Sequence, residues 1–119
     1  MSGLLAGPVR PTAVFVPSDV MAVGALDAIA AAGLRCPEDI SVVGYNDVPM
    51  AGFVSPPLTT VEMQEEELGA EAARMALAAI EDPATPRRRV ELPARLVVRR
   101  STGPAPDAVQ VGAPVPPPA

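Results

Sequence analysis

Apolar residues along the first half of the chain follow two different spacings, and these predict strands alternating with a helix. Residues 12–17, TAVFVP, form a β-branched and aromatic run between prolines, which is typical of a buried strand. Residues 19–33 carry apolar side chains at three- and four-residue spacing and end at Gly33, so they predict a helix with a glycine stop. Residues 40–45, ISVVGY, are nearly all apolar and predict a second, parallel strand that is covered on both faces.

The second half continues the pattern with shorter elements. A turn-rich connector leaves room for one helical turn around residues 50–54, and residues 59–63 predict a brief strand. Residues 64–81 predict a helix, and residues 90–100 predict one or two strands interrupted at Pro93. Together the elements predict an α/β fold, with an open parallel sheet flanked by helices. The buried stripe of the second helix is expected to comprise Leu68, Ala72, Met75 or Ala76, and Ala79 or Ile80.

Composition limits what this fold can do. The 119 residues suffice for one domain, and the absence of histidine and lysine excludes a histidine base, a histidine-bound metal and a catalytic lysine. A net charge of −5 argues against a free-standing nucleic-acid binder, because such domains carry a basic face. A single cysteine cannot form an internal disulfide, and no apolar run is long enough to cross a bilayer. With no signal peptide at the N-terminus, we expect a cytoplasmic protein.

The last part of the chain differs from the rest in composition. Residues 104–119 are rich in proline, carry one charge and show no periodicity, so they predict a disordered tail. The folded part is therefore expected to span residues 1–103.

Candidate chemistry lies where the first two strands end. Ser18 and Asp19 follow one apolar strand, and Asn46 and Asp47 follow the next. Ligands of parallel α/β sheets bind beyond the carboxyl ends of the strands, and these polar groups could bracket a polyol. The alternative is purely structural, since serine and aspartate cap helices and Asn-Asp is ordinary turn chemistry.

Other polar clusters predict no chemistry. Glu62 and Glu65–Glu67 would spread around a helix rather than converge on a metal, and Arg87–Arg89 predict an exposed loop. Cys36 precedes a proline in a turn without a neighbouring base. No nucleotide-binding, nucleophile-elbow or Cys-x-x-Cys motif occurs, so we expect no enzyme activity, no metal and no cofactor.

Three segments in order carry a resemblance to a known family. They are PTAVFVPSDVMAVGALDAIAAAGLRCPEDISVVGYNDVP, then PPLTTVEMQEEELGAEAARMAL, then LPARLVVRRSTGP. Over about residues 11–104 the chain resembles the last third of transcription regulators of the lac repressor/galactose repressor (LacI/GalR) family. The resemblance implies the C-terminal part of a two-lobed sensor that is similar to periplasmic sugar-binding proteins. It places residues up to about 56 and the strand near 94–100 in one lobe, and the strand and helix of residues 59–81 in the other.

The resemblance also implies roles for the strand-end residues. Members of the family commonly contact an effector, usually a sugar or nucleobase, at the positions of Ser18 and Asn46, whereas Asp19 and Asp47 orient the loops. Both contact positions depart from the family pattern, which has asparagine at position 18 and aspartate at position 46. Asn46 keeps acceptor capacity without the charge and Ser18 is shorter, so either the effector differs from a typical hexose or selection on binding has lapsed.

Expected partners follow from the same resemblance. Val23, Asp27, Phe53 and Val54 are candidate interface positions for a homodimer or for a heterodimer with a full-length homologue. The helix-turn-helix that reads operator DNA in the family is missing from these residues, so DNA binding would need that domain from elsewhere. We therefore expect the sensing portion of a transcriptional repressor, and we expect no association with a membrane. The alternatives are a stand-alone small-molecule binding or dimerisation module, or a non-functional gene remnant. Because much apolar surface and unpaired sheet edge would stay uncovered, we expect the chain to aggregate, to associate or to be partly molten.

Overall fold

A computed structural model describes residues 1–105 of the protein. Their elements are α1 (Ser2–Leu5), β1 (Ala13–Phe15), α2 (Asp19–Ala31), β2 (Ser41–Asn46), a 3₁₀ helix (Pro49–Gly52), β3 (Thr59–Glu62), α3 (Glu65–Glu81) and β4 (Arg95–Val97). The expected order of strands and long helices is confirmed, whereas the four-residue α1 was not predicted. The region 90–100 forms a single strand of three residues. The tail expected over 104–119 lies outside the described residues apart from its first two.

The four strands form one mixed sheet in the order β1-β2-β3-β4. β1, β2 and β3 run parallel, with Phe15 opposite Val43 and Val43 opposite Thr59, and β4 runs antiparallel to β3. The expected open α/β sheet is therefore confirmed. β3 pairs with β2 and so joins the same sheet as β1, whereas the implied division of the chain into two lobes stays a prediction.

One face of the sheet is covered by α2. Ala22, Leu26 and Ile29 of the helix form the buried core together with Ile40 and Val42, and Val14 of β1 packs against them. The helix ends at Ala31, with Ala32 as its C-cap, and Gly33 follows with a φ of 73°, which glycine adopts without strain. The Gly33 amide donates to the Ala30 carbonyl and the Leu34 amide to the Ile29 carbonyl, the two bonds of a Schellman motif.

A segment from late in the chain joins β2 to β3. The Ser101 hydroxyl is fully buried, donates to the Val42 carbonyl at 2.6 Å and accepts the Thr59 amide at 2.7 Å. The Ser101 carbonyl accepts the Val42 amide at 2.8 Å. These bonds satisfy backbone groups at the start of both strands, where a parallel pair leaves them without partners.

The opposite face of the sheet has little cover. Because side chains alternate along a strand, Phe15, Val43 and Tyr45 point away from α2, and Val61 and Leu96 lie beside them on the paired strands. We call these five residues the open face. Phe15 is 60% exposed and Leu96 56% exposed. Within residues 1–105 no strand pairs with the second edge of β1, which we call the free edge.

The expected burial of α3 is wrong. Leu68, Ala72, Ala76, Ala79 and Ile80 are exposed, Met75 is half-buried, and the only buried residue of the helix is Glu71. Within residues 1–105, α3 makes no extensive contact with another helix or strand. An apolar stripe shows that a helix needs a partner surface, and this part of the chain does not supply one.

Candidate functional site

The polar groups expected to bracket a ligand lie at one edge of the sheet. Phe15 of β1 pairs with Val43 of β2, so Ser18, just beyond β1, and Asn46, the last residue of β2, are each three residues further along and lie at the same end of the sheet. Ser18 keeps the extended conformation, with φ −161° and ψ 138°. Both residues are half-buried, which leaves part of each side chain accessible. The carboxyl edge of β1 and β2 therefore carries a hydroxyl from Ser18 and an amide from Asn46.

Ser18 is not a side-chain cap. It occupies the N-cap position of α2, but its hydroxyl makes no capping hydrogen bond. In the part of the chain that the structure describes, neither the Ser18 hydroxyl nor the Asn46 amide has a side-chain hydrogen bond. The structural alternative weighed for Ser18 is thus not realised, and both groups remain able to bond a ligand.

The buried carboxylate of Asp19 connects the elements that meet at this edge. Its carboxylate is 1% exposed and accepts the Thr60 hydroxyl at 2.6 Å and the Val48 amide at 2.9 Å. It also lies in the first turn of α2, where the helix dipole favours negative charge. One side chain therefore connects the start of α2, the loop after β2, and β3.

Gly44 makes room for that carboxylate. A Cβ at this position would collide with Asp19 Oδ1 and come within 2.8 Å of Leu58 Cδ2. Only glycine allows β2 to approach Asp19 this closely, because every other residue type places a carbon there.

The loop after β2 turns sharply. Asn46 has a φ of 106° and Asp47 a φ of 57°, both in the left-handed region that asparagine and aspartate tolerate better than most residues. Asp47 Oδ1 lies 2.7 Å from the Arg99 guanidinium, without the alignment of a hydrogen bond, so the contact is an ion pair. Arg99 also donates to the Leu58 carbonyl at 2.9 Å and thereby anchors the loop to the start of β3.

The remaining clusters stay outside this edge. Glu65–Glu67 are exposed in the first turn of α3, and Arg88 pairs with Glu71. The Cys36 thiol donates to the Ser101 carbonyl at 3.3 Å, and burial raises its pKa. Among residues 1–105 no group of three or more His, Cys, Asp or Glu side chains could hold a metal ion. No helix in that range is long and apolar enough to cross a membrane.

The candidate interface positions are on the surface to different degrees. Phe53 is 89% exposed and Asp27 is exposed, whereas Val23 is half-buried. Val54 is half-buried and packs against the core, so less of its side chain is available to a partner.

Three residues of the site were not foreseen from the sequence: Thr60, Arg99 and Ser101. Their partners are 41, 41 and 42 residues away along the chain for the bonds to Asp19, Leu58 and Thr59. The one signal available was polar residues at both ends of a short strand, which is too common to identify a buried bond.

Comparison with known proteins identifies the family. Residues 2–102 match the model of the periplasmic binding protein-like domain. The HTH-type transcriptional repressor PurR of Pasteurella multocida (strain Pm70) is 44% identical over 101 residues, which are 85% of this chain and 30% of the repressor. The ribose operon repressor of Escherichia coli (strain K12) is 42% identical over 101 residues, 85% of this chain and 31% of the repressor.

Solved structures give the same result. A LacI family transcriptional regulator from Enterococcus faecalis V583 with bound ribose superposes with a TM-score of 0.75 and 36% identity, over 86% of this chain and 38% of that one. A dimeric Lac repressor with a C-terminal deletion superposes with a TM-score of 0.75 and 37% identity, over 88% of this chain and 38% of that one. The chain thus spans about a third of the length of these relatives.

Proposed function

Because the chain belongs to the periplasmic binding protein-like domain family and matches part of the sensor of LacI-type regulators, we propose that it senses a small effector for transcriptional control. The effector is a sugar or a similar polyol, and the chain forms the C-terminal part of the sensor. It acts by binding rather than catalysis, since the matched relatives are named as repressors. Operator DNA would be reached through a helix-turn-helix outside these residues, in the cytoplasm.

One observation carries the proposal: a hydroxyl and an amide, both without internal side-chain partners in residues 1–105, lie at the carboxyl ends of two adjacent parallel strands. Ser18 and Asn46 are the proposed effector contacts, because an amide and a hydroxyl can each donate to and accept from a sugar hydroxyl. Neither carries a charge, so the site favours an uncharged ligand.

Asp19 and Asp47 position these contacts. Asp19 fixes the loop after β2 through the Val48 amide, and Asp47 fixes the same loop through Arg99. A loop held on both sides of Asn46 loses little freedom when a ligand binds, and this preserves affinity.

A chimera tests the proposal. The matched third of the E. coli ribose operon repressor is replaced by residues 2–102 of this chain, and binding of ribose, cellobiose and a nucleobase is measured by calorimetry. We expect one of the sugars to bind, and Ser18→Ala or Asn46→Ala to weaken it about tenfold, roughly the loss of one hydrogen bond.

Ser55→Ala is the matched control, because Ser55 is exposed and lies away from the strand ends. A chimera that folds but binds none of the ligands contradicts the proposal. Equal binding by all three variants would move the site away from the edge of β1 and β2.

A second candidate function is dimerisation without sensing. Phe53 is 89% exposed, although a phenylalanine is usually buried, and it is one of the proposed interface positions together with Asp27 and Val23. A dimer in light scattering that Phe53→Asp converts to monomer, in a chimera that binds none of the ligands, would favour this role. A monomeric chain would exclude it.

A further inference from the structure

The loop after β2 has a conformation that its own residues do not favour. Asn46 has a φ of 106° and Asp47 a φ of 57°, and residues with side chains seldom adopt positive values, least of all two in a row. Backbone of this kind relaxes unless the surrounding structure holds it. The orientation of Asn46, a proposed effector contact, therefore depends on the groups that restrain the loop.

Two contacts restrain the loop from the rest of the fold. Asp47 Oδ1 lies 2.7 Å from Arg99 Nη1, but this ion pair lacks the alignment of a hydrogen bond and so restrains direction only weakly. The Val48 amide donates to Asp19 Oδ2 at 2.9 Å and fixes the backbone directly after the two left-handed residues. The position of the Asp19 carboxylate therefore determines where the loop is held.

Thr60 fixes that carboxylate. The Thr60 hydroxyl donates to Asp19 Oδ1 at 2.6 Å, and a short bond to a charged acceptor is among the stronger hydrogen bonds of proteins. Asp19 is 1% exposed and Thr60 is fully buried, so bulk water does not reach the bond to replace the hydroxyl. Thr60 is also paired on both sides, with Gly44 of β2 and Val97 of β4, which makes its backbone a rigid point of attachment.

We propose that Thr60 is a positioning residue for the effector site. Its hydroxyl acts through Asp19 and the Val48 amide to keep Asn46 in the orientation that bonds the effector, although Thr60 itself is buried and touches no effector. This inference rests on the proposed function, because it assigns part of the effector affinity to Thr60. Without the hydroxyl the loop would sample other conformations, and binding would have to restore the one that fits.

The first test compares two substitutions of the same shape in the full chain. Thr60→Val removes the hydroxyl bonded to Asp19, whereas Thr102→Val removes a half-buried hydroxyl that bonds at the start of β3, the opposite end of the strand. Hydrogen exchange followed by NMR should become at least about tenfold faster at the Val48 amide, relative to the Ile29 amide in α2, in Thr60→Val. Thr102→Val should leave this ratio within about twofold of the wild type, because it does not open the loop locally.

The second test measures sugar binding by the chimera described above. Thr60→Val should weaken the binding of ribose or cellobiose at least about tenfold. Thr60→Ser keeps the donor to Asp19 and should bind within about threefold of the wild type. A purely structural role would instead lower the urea midpoint of Thr60→Val without changing the affinity of the folded chimera.

Two results would overturn the inference. One is a ratio of Val48 to Ile29 exchange that is equal in Thr60→Val and in the wild type. The other is equal sugar affinity of the Thr60→Val and wild-type chimeras. A wild-type chimera that binds none of the ligands contradicts the proposed function instead, and the exchange measurement in the full chain then decides by itself whether Thr60 positions the loop.

Discussion

Two parts of this chain both have the sequence pattern of regular secondary structure, but only one of them is buried against the rest of the fold. In the sheet region, residues 12–62 and 95–103, polar side chains are buried and bonded, as between Thr60 and Asp19 at 2.6 Å. In the α3 region, residues 64–91, the amphipathic helix is longer than α2 but buries a single residue, Glu71. Local periodicity therefore determines that a helix forms, whereas tertiary partners determine how firmly it is held.

The side-chain contacts of the α3 region are mainly with other residues of the same region. The Glu71 carboxylate pairs with Arg74 and with Arg88 at 2.5 Å, and the Thr85 hydroxyl donates to the Ala78 carbonyl at 3.3 Å. The Glu71 side chain is only 12% exposed, but both arginines are 61% exposed, and ion pairs whose cation is open to solvent contribute little to stability. Tyr45 is the single tyrosine and there is no tryptophan, so tyrosine fluorescence reports the sheet region. Circular dichroism at 222 nm reports both long helices. The two signals should lose their amplitude at different urea concentrations, with α3 unfolding first.

The largest expected loss of stability is that of Asp19→Ala, which removes the most buried carboxylate of the sheet region. It leaves the Val48 amide and the Thr60 hydroxyl without their acceptor, at a cost of roughly 3 kcal/mol. The urea midpoint from tyrosine fluorescence should fall strongly. Asp27→Ala, at an exposed position of the same helix, should change the free energy of unfolding by less than about 0.5 kcal/mol. Equal effects of both variants would remove the contrast between the regions.

Gly44→Ala should destabilise the sheet region by about 1–3 kcal/mol, because its Cβ collides with Asp19 Oδ1 and crowds Leu58. Gly24→Ala provides the opposite control. Its Cβ would meet nothing within 4 Å, and alanine is the better helix former by about 1 kcal/mol. Urea unfolding followed by tyrosine fluorescence should therefore shift in opposite directions. A tolerated alanine at position 44 would show that Asp19 can move without loss.

Glu71→Gln tests how much the ion pairs within the α3 region contribute to its stability. Losing both ion pairs should cost at most about 1 kcal/mol, and the change should be seen at 222 nm but not in tyrosine fluorescence. Salt should reduce the difference between the wild type and the variant. Glu81→Gln, at the exposed C-terminal end of α3, should not lower the midpoint, because an acid is unfavourable there. A parallel shift of both signals by Glu71→Gln would mean that the two regions unfold together.

The smallest expected effect is on the loss of folding stability at low pH. Asp39 accepts the Arg35 amide at 2.8 Å, and this backbone hydrogen bond lowers the pKa of its carboxyl below 3.8. A pKa that is lower in the folded chain gives stability that is complete above the unfolded value and is lost as the pH falls through the folded one. Asp39→Asn should therefore flatten the loss of stability below about pH 4, as followed by tyrosine fluorescence. An unchanged acid profile would exclude a role for this bond.

Local pattern predicted the elements whose signals are local. The glycine stop of α2 at Gly33 and the nearly continuous apolar run of β2 each specify structure within a few residues. The four-residue α1 was missed because it lies in a short stub with two glycines and carries no side-chain cap.

Pattern failed where the outcome depends on distant residues. Leu68 and Ile80 have the spacing of a buried stripe, but their burial requires a surface that residues 1–105 do not provide. The burial of Ser101 depends on Val42, 59 residues earlier, and nothing near Ser101 in the sequence indicates this bond. The position of Ser18 and Asn46 at the strand ends could be predicted from topology, whereas the hydrogen bond between Asp19 and Thr60 could not.

The pairing of β3 with β4 has a consequence for how such chains diversify. Glu62 and Arg95 stand opposite each other on these strands, with Arg95 Nη2 2.7 Å from Glu62 Oε2. Everything between them leaves the sheet and returns to it at adjacent points. Such an excursion can be lengthened, shortened or exchanged between relatives without altering the register of β1, β2 and β3. Residues 63–94 are therefore an insertion whose two ends join the sheet at the Glu62–Arg95 pair.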